Sequence, residues 1–162
     1  MSIKPEVKKR LDEAVKHELT ASNMYLNLAI QMQGVGYFGT QKYFESEAST
    51  EREHAKKITD YVNDMGGVSS ILGVDSQMDK VTTLKDAFDI AMEAESDLLK
   101  FYVELYEEME DEMKDCVTAQ FLLQFIEIQR KSVGEVRDIL SMIDRAGKNE
   151  AALLIVDSKL DK

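Results

Sequence analysis

The chain has 162 residues, of which 20 are Lys or Arg and 31 are Asp or Glu, so its formal net charge is −11. This length suits a single domain with a buried core, and the acidic composition argues against a nucleic-acid partner, since phosphate binding needs a basic surface. Cys116 has no second cysteine to pair with, and no apolar run approaches the roughly 20 residues that span a membrane. We see no signal-like N-terminus and expect a cytoplasmic protein without a membrane partner.

Five helices are predicted in chain order by the apolar periodicity and by residues typical of helix ends. Pro5 suits a first helical turn, Gly34 and the pair Gly66–Gly67 suit helix ends, and Thr83 begins a variant capping box with Asp86. The predicted helices cover about residues 5–33, 40–65, 83–111, 115–146 and 150–160.

The lengths of the connections predict the topology. The first and second helices, and the third and fourth, are joined by short turns, so each pair should be antiparallel. The stretch 68–81 has no helical periodicity and is long enough to return along the bundle. We therefore predict an all-α protein: a four-helix bundle with one long crossover between its second and third helices, followed by a short fifth helix.

Each of the four long helices carries an apolar stripe that a single polar residue interrupts near mid-helix. The stripes run from Val7 to Met32, from Phe44 to Met65, from Leu84 to Met109, and from Leu122 through Ile126 and Leu140 to Ile143. The interrupting residues are Glu18, Glu51, Glu95 and Gln129. A stripe of this period faces a bundle core, where an unpartnered carboxylate is costly to bury.

His54 adds an imidazole to this polar layer, because it lies one turn after Glu51 on nearly the same helix face. Oxygen ligands with one nitrogen and no sulfur suit iron or manganese, and zinc can also occupy such a site. A carboxylate such as Glu51 can bridge two ions, so we expect a dinuclear centre.

Two tyrosines follow the layer at the same spacing. Tyr25 lies seven residues after Glu18, about 20° away around the helix, and can serve either as a core aromatic or in a redox or hydrogen-bonding role. For Tyr102, seven residues after Glu95, we expect packing. His17 projects about 100° away from Glu18, so we expect it at the surface or in an interface.

With these residues identified, the chain resembles the non-haem ferritins over nearly its whole length. The matching segments are Thr50-Glu-Arg-Glu-His-Ala-Lys-Lys57 on the second helix and His17-Glu-Leu-Thr-Ala-Ser-Asn-Met-Tyr25 on the first. The resemblance implies a ferritin-like bundle that assembles into a homo-oligomeric cage of 24 subunits, with the fifth helix at the fourfold axis.

The resemblance also implies a di-iron centre that oxidises ferrous iron with O₂, after which the ferric iron is stored as a mineral inside the cage. The first iron would be held by Glu18, Glu51 and His54. The second would be held by Glu51, Glu95 and Gln129, with Tyr25 nearby.

Two features distinguish the chain from other di-iron bundle proteins, and two alternative functions stay open. The fourth helix carries Gln129 rather than a second Glu-x-x-His, which argues against a bacterioferritin or a rubrerythrin. The haem-ligating methionine of bacterioferritins would fall at Arg52, so no haem is expected. The alternatives are a di-iron carboxylate oxidase that acts on an organic substrate, and a shell that nucleates mineral without efficient ferroxidase activity.

Overall fold

The computed structural model describes residues 2–161, which form five helices and no strand. The helices are α1 (Pro5–Gly34), α2 (Phe38–Asp64), α3 (Leu84–Asp111), α4 (Cys116–Ala146) and α5 (Glu150–Leu160). They confirm the predicted all-α class and its five elements, although α2 begins two residues before the predicted start at residue 40. No helix in this range is long and apolar enough to cross a membrane.

The predicted cap forms at the start of α3, and two further side chains cap α4 and α5. The Thr83 hydroxyl accepts from the backbone N–H of Asp86 at 3.1 Å. Asp115 caps α4 by accepting from the N–H of Thr118 at 3.0 Å, and Asn149 caps α5. Each cap satisfies an N–H group that the first helical turn leaves without a partner.

The long crossover runs along α1 and sets the direction of α3. Near its beginning, Ser69 donates to Asp12 at 2.7 Å, and near its end the N–H of Val81 donates to Gln31. The stretch of α1 between these two contacts is about 28 Å long at about 1.5 Å per residue. The crossover therefore returns the chain to the opposite end of the bundle, and α3 runs parallel to α2, as predicted.

The polar layer divides the apolar core into two clusters. One cluster contains Leu28, Phe44 and Phe88, and the other contains Leu11, Ile58 and Leu105. Glu18, Glu51, Glu95 and Gln129 lie between them, and all four side chains are buried. A polar layer in the middle of a packed core requires that its members satisfy one another or bind a ligand.

The stripe predicted for α4 is wrong at two positions. Phe125 and Ile139 are buried, whereas Ile126 and Leu140 are only half-buried. An α-helix has 3.6 residues per turn, so positions three or four residues apart compete for the core face. Phe125 takes the core position, and its ring stacks on that of Tyr102 with 5.1 Å between centroids.

α5 is fixed to the start of α2 by a buried carboxylate. Asp157 accepts from the N–H of Thr40 at 2.7 Å and from the N–H of Gly39 at 3.1 Å. The helix α2 has no cap from its own Tyr37, so Asp157 supplies the missing acceptors. Gly39 permits this approach because a Cβ there would lie 2.0 Å from the Asp157 carbonyl oxygen.

Candidate metal centre

The four interrupting residues meet at one level of the bundle, as the stripes predict. Glu18, Glu51, Glu95 and Gln129 come from α1, α2, α3 and α4 respectively, and none is more than 1% exposed. His54 joins them one turn further along α2 and is 6% exposed. All five predicted ligand residues therefore lie together, out of reach of bulk water.

Glu18, Glu51 and His54 form a first group of potential ligands. Their ligand atoms lie within 4.8 Å of one another. His54 Nδ1 is 2.8 Å from Glu51 Oε2 and 3.5 Å from Glu18 Oε2. The second distance is too long for a good hydrogen bond, and Glu18 Oε2 has no hydrogen-bond partner although it is buried. A cation in this group would satisfy that oxygen.

A second group shares Glu51 with the first. Its ligand atoms belong to Glu47, Glu51 and Glu95 and also lie within 4.8 Å of one another. Gln129, which the sequence placed as a ligand here, donates from Nε2 to Glu95 Oε2 at 2.6 Å. In this arrangement its amide orients Glu95, and a half-turn of the amide would present Oε1 to an ion instead.

Glu47 is the residue of this centre that the sequence analysis missed. It lies four positions before Glu51, about 40° away around α2, and this spacing was the available signal. Glu47 was overlooked because it falls beside the apolar stripe and not on it. Its half-buried carboxylate also borders a cavity of about 130 Å³ that Tyr43, Ser46 and Glu135 help to line.

Both tyrosines contribute hydroxyl groups to the centre. Tyr25 on α1 donates to Glu95 on α3, which favours the hydrogen-bonding role among those left open for it. Tyr102 on α3 donates to Glu18 on α1. The expected packing of Tyr102 is present, but packing alone was an incomplete description, because the sequence could not tell where the hydroxyl points.

Crowding of carboxylates away from water shifts their pKa values upward. Burial raises the pKa of Glu47, Glu51 and Glu95 to about 7 in each case, and the negative charges of neighbouring glutamates add to the effect. Burial opposes a charge on His54, but its interactions with Glu18 and Glu51 dominate and raise its pKa to about 10. Without an ion, the centre therefore holds protons in place of cations near neutral pH.

His17 lies outside the centre. The His17 ring is exposed and lies against Phe101, with centroids 4.3 Å apart, and burial lowers its pKa. This placement agrees with the surface position expected for it.

Comparison with known proteins agrees with this geometry. Residues 8–146 match the family model described as a ferritin-like domain. The chain is 28% identical to ferritin BfrB of Mycolicibacterium smegmatis over 139 residues, which is 86% of this chain and 76% of the relative. It is 25% identical to a bacterial non-heme ferritin of Bacteroides fragilis over 158 residues, 98% of each chain.

A solved structure extends the likeness to three dimensions. The open-pore ferritin of the hyperthermophilic archaeon Archaeoglobus fulgidus superposes with a TM-score of 0.95 and is 26% identical, covering 99% of this chain and 98% of that one. Fold, sequence and the buried polar layer lead to the same conclusion: the chain belongs to the ferritin family, among its non-haem members.

Proposed function

We propose that this protein stores iron, and that its bundle centre oxidises Fe(II) to Fe(III) with O₂ before the iron is mineralised inside a cage. Fe(II) is the substrate in this proposal. Glu18, Glu51 and His54 hold one ion, while Glu51, Glu95 and Glu47 hold the other, with Gln129 and Tyr25 orienting Glu95. This assignment keeps Glu18, Glu51, His54 and Glu95 as ligands and adds Glu47 to them. Gln129, which was predicted as a ligand, instead orients Glu95 through its hydrogen bond.

The observation that carries the proposal is the pair of ligand groups joined by Glu51. Two ligand groups that share one carboxylate would bring two Fe(II) ions close together, which supports the transfer of two electrons to one O₂. The unpartnered Glu18 Oε2 supports the same reading, because a buried carboxylate oxygen without a donor is otherwise destabilising.

The chemistry balances with two Fe(II) ions and one O₂. Two ferrous ions supply two electrons, which with two protons reduce O₂ to hydrogen peroxide and leave two ferric ions. The protons that the centre holds near pH 7 leave when the ions bind, since a metal ligand must be deprotonated. The chain's own contribution is to orient carboxylates and His54 and to exclude water around the reacting ions.

We propose that small reactants approach the centre between α1 and α3. A cavity of about 240 Å³ is lined there by Thr20, Ala21, Asp97 and Leu98, together with neighbouring side chains. Ala21 and Leu98 lie one helical turn beyond Glu18 and Glu95 respectively. The cavity is therefore lined by residues of the helical turns next to those that carry Glu18 and Glu95.

The proposed cage is a homo-oligomer of 24 subunits in the cytoplasm. Its physical support is the set of large apolar side chains exposed on the single chain, which include Ile30, Val68, Ile71 and Ile155, each more than half exposed. Large apolar side chains that a single chain leaves exposed are candidates for burial between subunits. Light scattering of the purified protein gives the subunit number directly.

The test of the proposed reaction is anaerobic loading of metal-free protein with Fe(II), followed by addition of O₂ under absorbance detection. Wild-type protein is expected to oxidise two Fe(II) per subunit rapidly, whereas Glu51→Ala and His54→Ala oxidise iron slowly. Glu53→Ala, an exposed neighbour on α2, is the matched control and should behave as wild type. Equal and slow oxidation in all four proteins would refute the ferroxidase proposal.

A further inference from the structure

The centre contains two glutamate–tyrosine pairs that mirror one another across α1 and α3. Glu18 precedes Tyr25 by seven residues on α1, and Glu95 precedes Tyr102 by seven residues on α3. Tyr25 donates its hydroxyl hydrogen to Glu95, while Tyr102 donates to Glu18. Each carboxylate is therefore held by the tyrosine of the opposite helix.

Packing holds the ring of Tyr102 in place, independently of the hydrogen bond from its hydroxyl to Glu18. The side chain is 0% exposed. It stacks on Phe125 at a centroid distance of 5.1 Å and contacts Phe101 edge-on at 5.5 Å. Two aromatic neighbours leave the phenol little freedom, so its hydroxyl acts as a stationary donor.

Glu18 depends on this donor more than Glu95 depends on Tyr25. Glu95 accepts from both Tyr25 and Gln129, whereas among residues 2–161 Tyr102 is the one side chain that hydrogen-bonds to Glu18. The bond occupies Glu18 Oε1 and leaves Oε2 without a partner, 3.5 Å from His54 Nδ1. The free oxygen is thus directed toward the other ligands of the first group.

We propose that Tyr102 is a positioning residue for the first metal position, since its hydroxyl holds Glu18 so that Oε2 faces the ion. This inference rests on the proposed function, because it assumes that Glu18, Glu51 and His54 bind a divalent cation. Tyr102 does not touch the ion and acts through Glu18, as a hydrogen-bonded outer partner of a ligand does at other metal sites.

The test uses Tyr102→Phe, which removes the hydroxyl and keeps the ring. Co²⁺, a divalent ion that O₂ does not readily oxidise in such ligand sets, is titrated into the assembled metal-free protein and followed by calorimetry and visible absorption. His54→Ala identifies which binding step belongs to the first position. In Tyr102→Phe that step is expected to weaken by about tenfold or more, with the other step unchanged.

Two further variants test whether the effect is specific to Tyr102 and to the first metal position. Tyr25→Phe is the mirror substitution and should weaken the step that Tyr102→Phe leaves intact. Tyr106→Phe, one turn further along α3 and half-buried, is the matched control and should bind Co²⁺ as wild type does. A Tyr102→Phe protein with both binding steps equal to wild type would overturn the positioning role, whatever happens to its melting temperature.

Failure of this inference is distinguishable from failure of the proposed function. Wild-type protein that binds Co²⁺ at both positions but oxidises Fe(II) slowly would refute the ferroxidase proposal, and the affinity comparison would still decide the role of Tyr102. Wild-type protein with no His54-dependent Co²⁺ binding would overturn both.

Discussion

Glu95→Gln should stabilise the metal-free protein at alkaline pH and weaken ion binding at the proposed second metal position. Burial, reinforced by the charge of Glu51, raises the pKa of Glu95 from 4.5 to about 7. Because this pKa is higher in the folded state, the folded protein holds the proton more tightly than the unfolded chain does. The contribution of Glu95 to stability is therefore greatest below pH 4.5 and is lost as the pH rises through 7.

The magnitude follows from the size of that shift. At about 1.4 kcal/mol for each pH unit, keeping this carboxylate charged inside the bundle costs about 3 kcal/mol above pH 7. The amide of Gln has nearly the same shape and carries no charge. Its oxygen can still accept from Tyr25, and Gln129 can rotate its own amide to accept from the new one.

Urea unfolding of chelator-treated protein, at one protein concentration and at pH 5 and pH 8, measures this effect. We expect Glu95→Gln to match wild type to within about 1 kcal/mol at pH 5 and to exceed it by about 3 kcal/mol at pH 8. Glu53→Gln, an exposed glutamate on α2, is the control and should change neither value. A Glu95→Gln protein that is less stable than wild type by the same amount at both pH values would refute the reasoning, since the loss would then come from hydrogen bonding.

Three further predictions follow from the same structure. Since the pKa of His54 is raised to about 10, each Co²⁺ bound at the first position displaces its proton, and this proton alone should raise the affinity about 100-fold from pH 6 to pH 8. The proton of Glu51, whose pKa is about 7, adds to that rise, and equal calorimetric affinities at the two pH values would contradict the prediction. Asp157→Ala leaves two buried N–H groups of α2 without acceptors and should lower the free energy of unfolding in urea by about 1–3 kcal/mol. Asp161→Ala, which removes only an exposed ion pair, should cost less than about 1 kcal/mol, and equal losses in the two variants would rule out the capping role. Glu47→Gln should weaken Co²⁺ binding at the second metal position about tenfold and leave binding at the first position unchanged. Glu45→Gln, at an exposed position of α2, is the control, and an unchanged titration of Glu47→Gln would show that Glu47 is not a ligand.

The polar layer could be predicted from the sequence because it depends on local periodicity. A residue that interrupts an apolar stripe faces the core, because the stripe is the face by which the helix packs. A residue in the middle of its helix lies at the mid-height of the bundle whether the helix runs up or down. Glu18, Glu51, Glu95 and Gln129 met both conditions. The long crossover could be predicted from the length of the linker alone. The linker between α2 and α3 is long enough to run back along the bundle, which is what a parallel pair of consecutive helices requires.

Only the tertiary structure decided how the side chains of this layer are paired. The rotation of each helix about its own axis depends on the packing of all four helices. This rotation buried Phe125 in place of Ile126 and brought Glu47 within reach of Glu51 and Glu95.

The bonds made by individual atoms were likewise beyond the sequence. Tyr25 and Tyr102 occupy equivalent positions in their stripes, and their spacing could not reveal that each hydroxyl crosses to the opposite helix. Asp157 could not be connected with the start of α2, since that contact joins residues far apart in the chain. The sequence by itself determined the four core-facing polar residues of this ferritin, Glu18, Glu51, Glu95 and Gln129. The bonding partner of each atom was decided by packing, because it requires several helices to be placed at once.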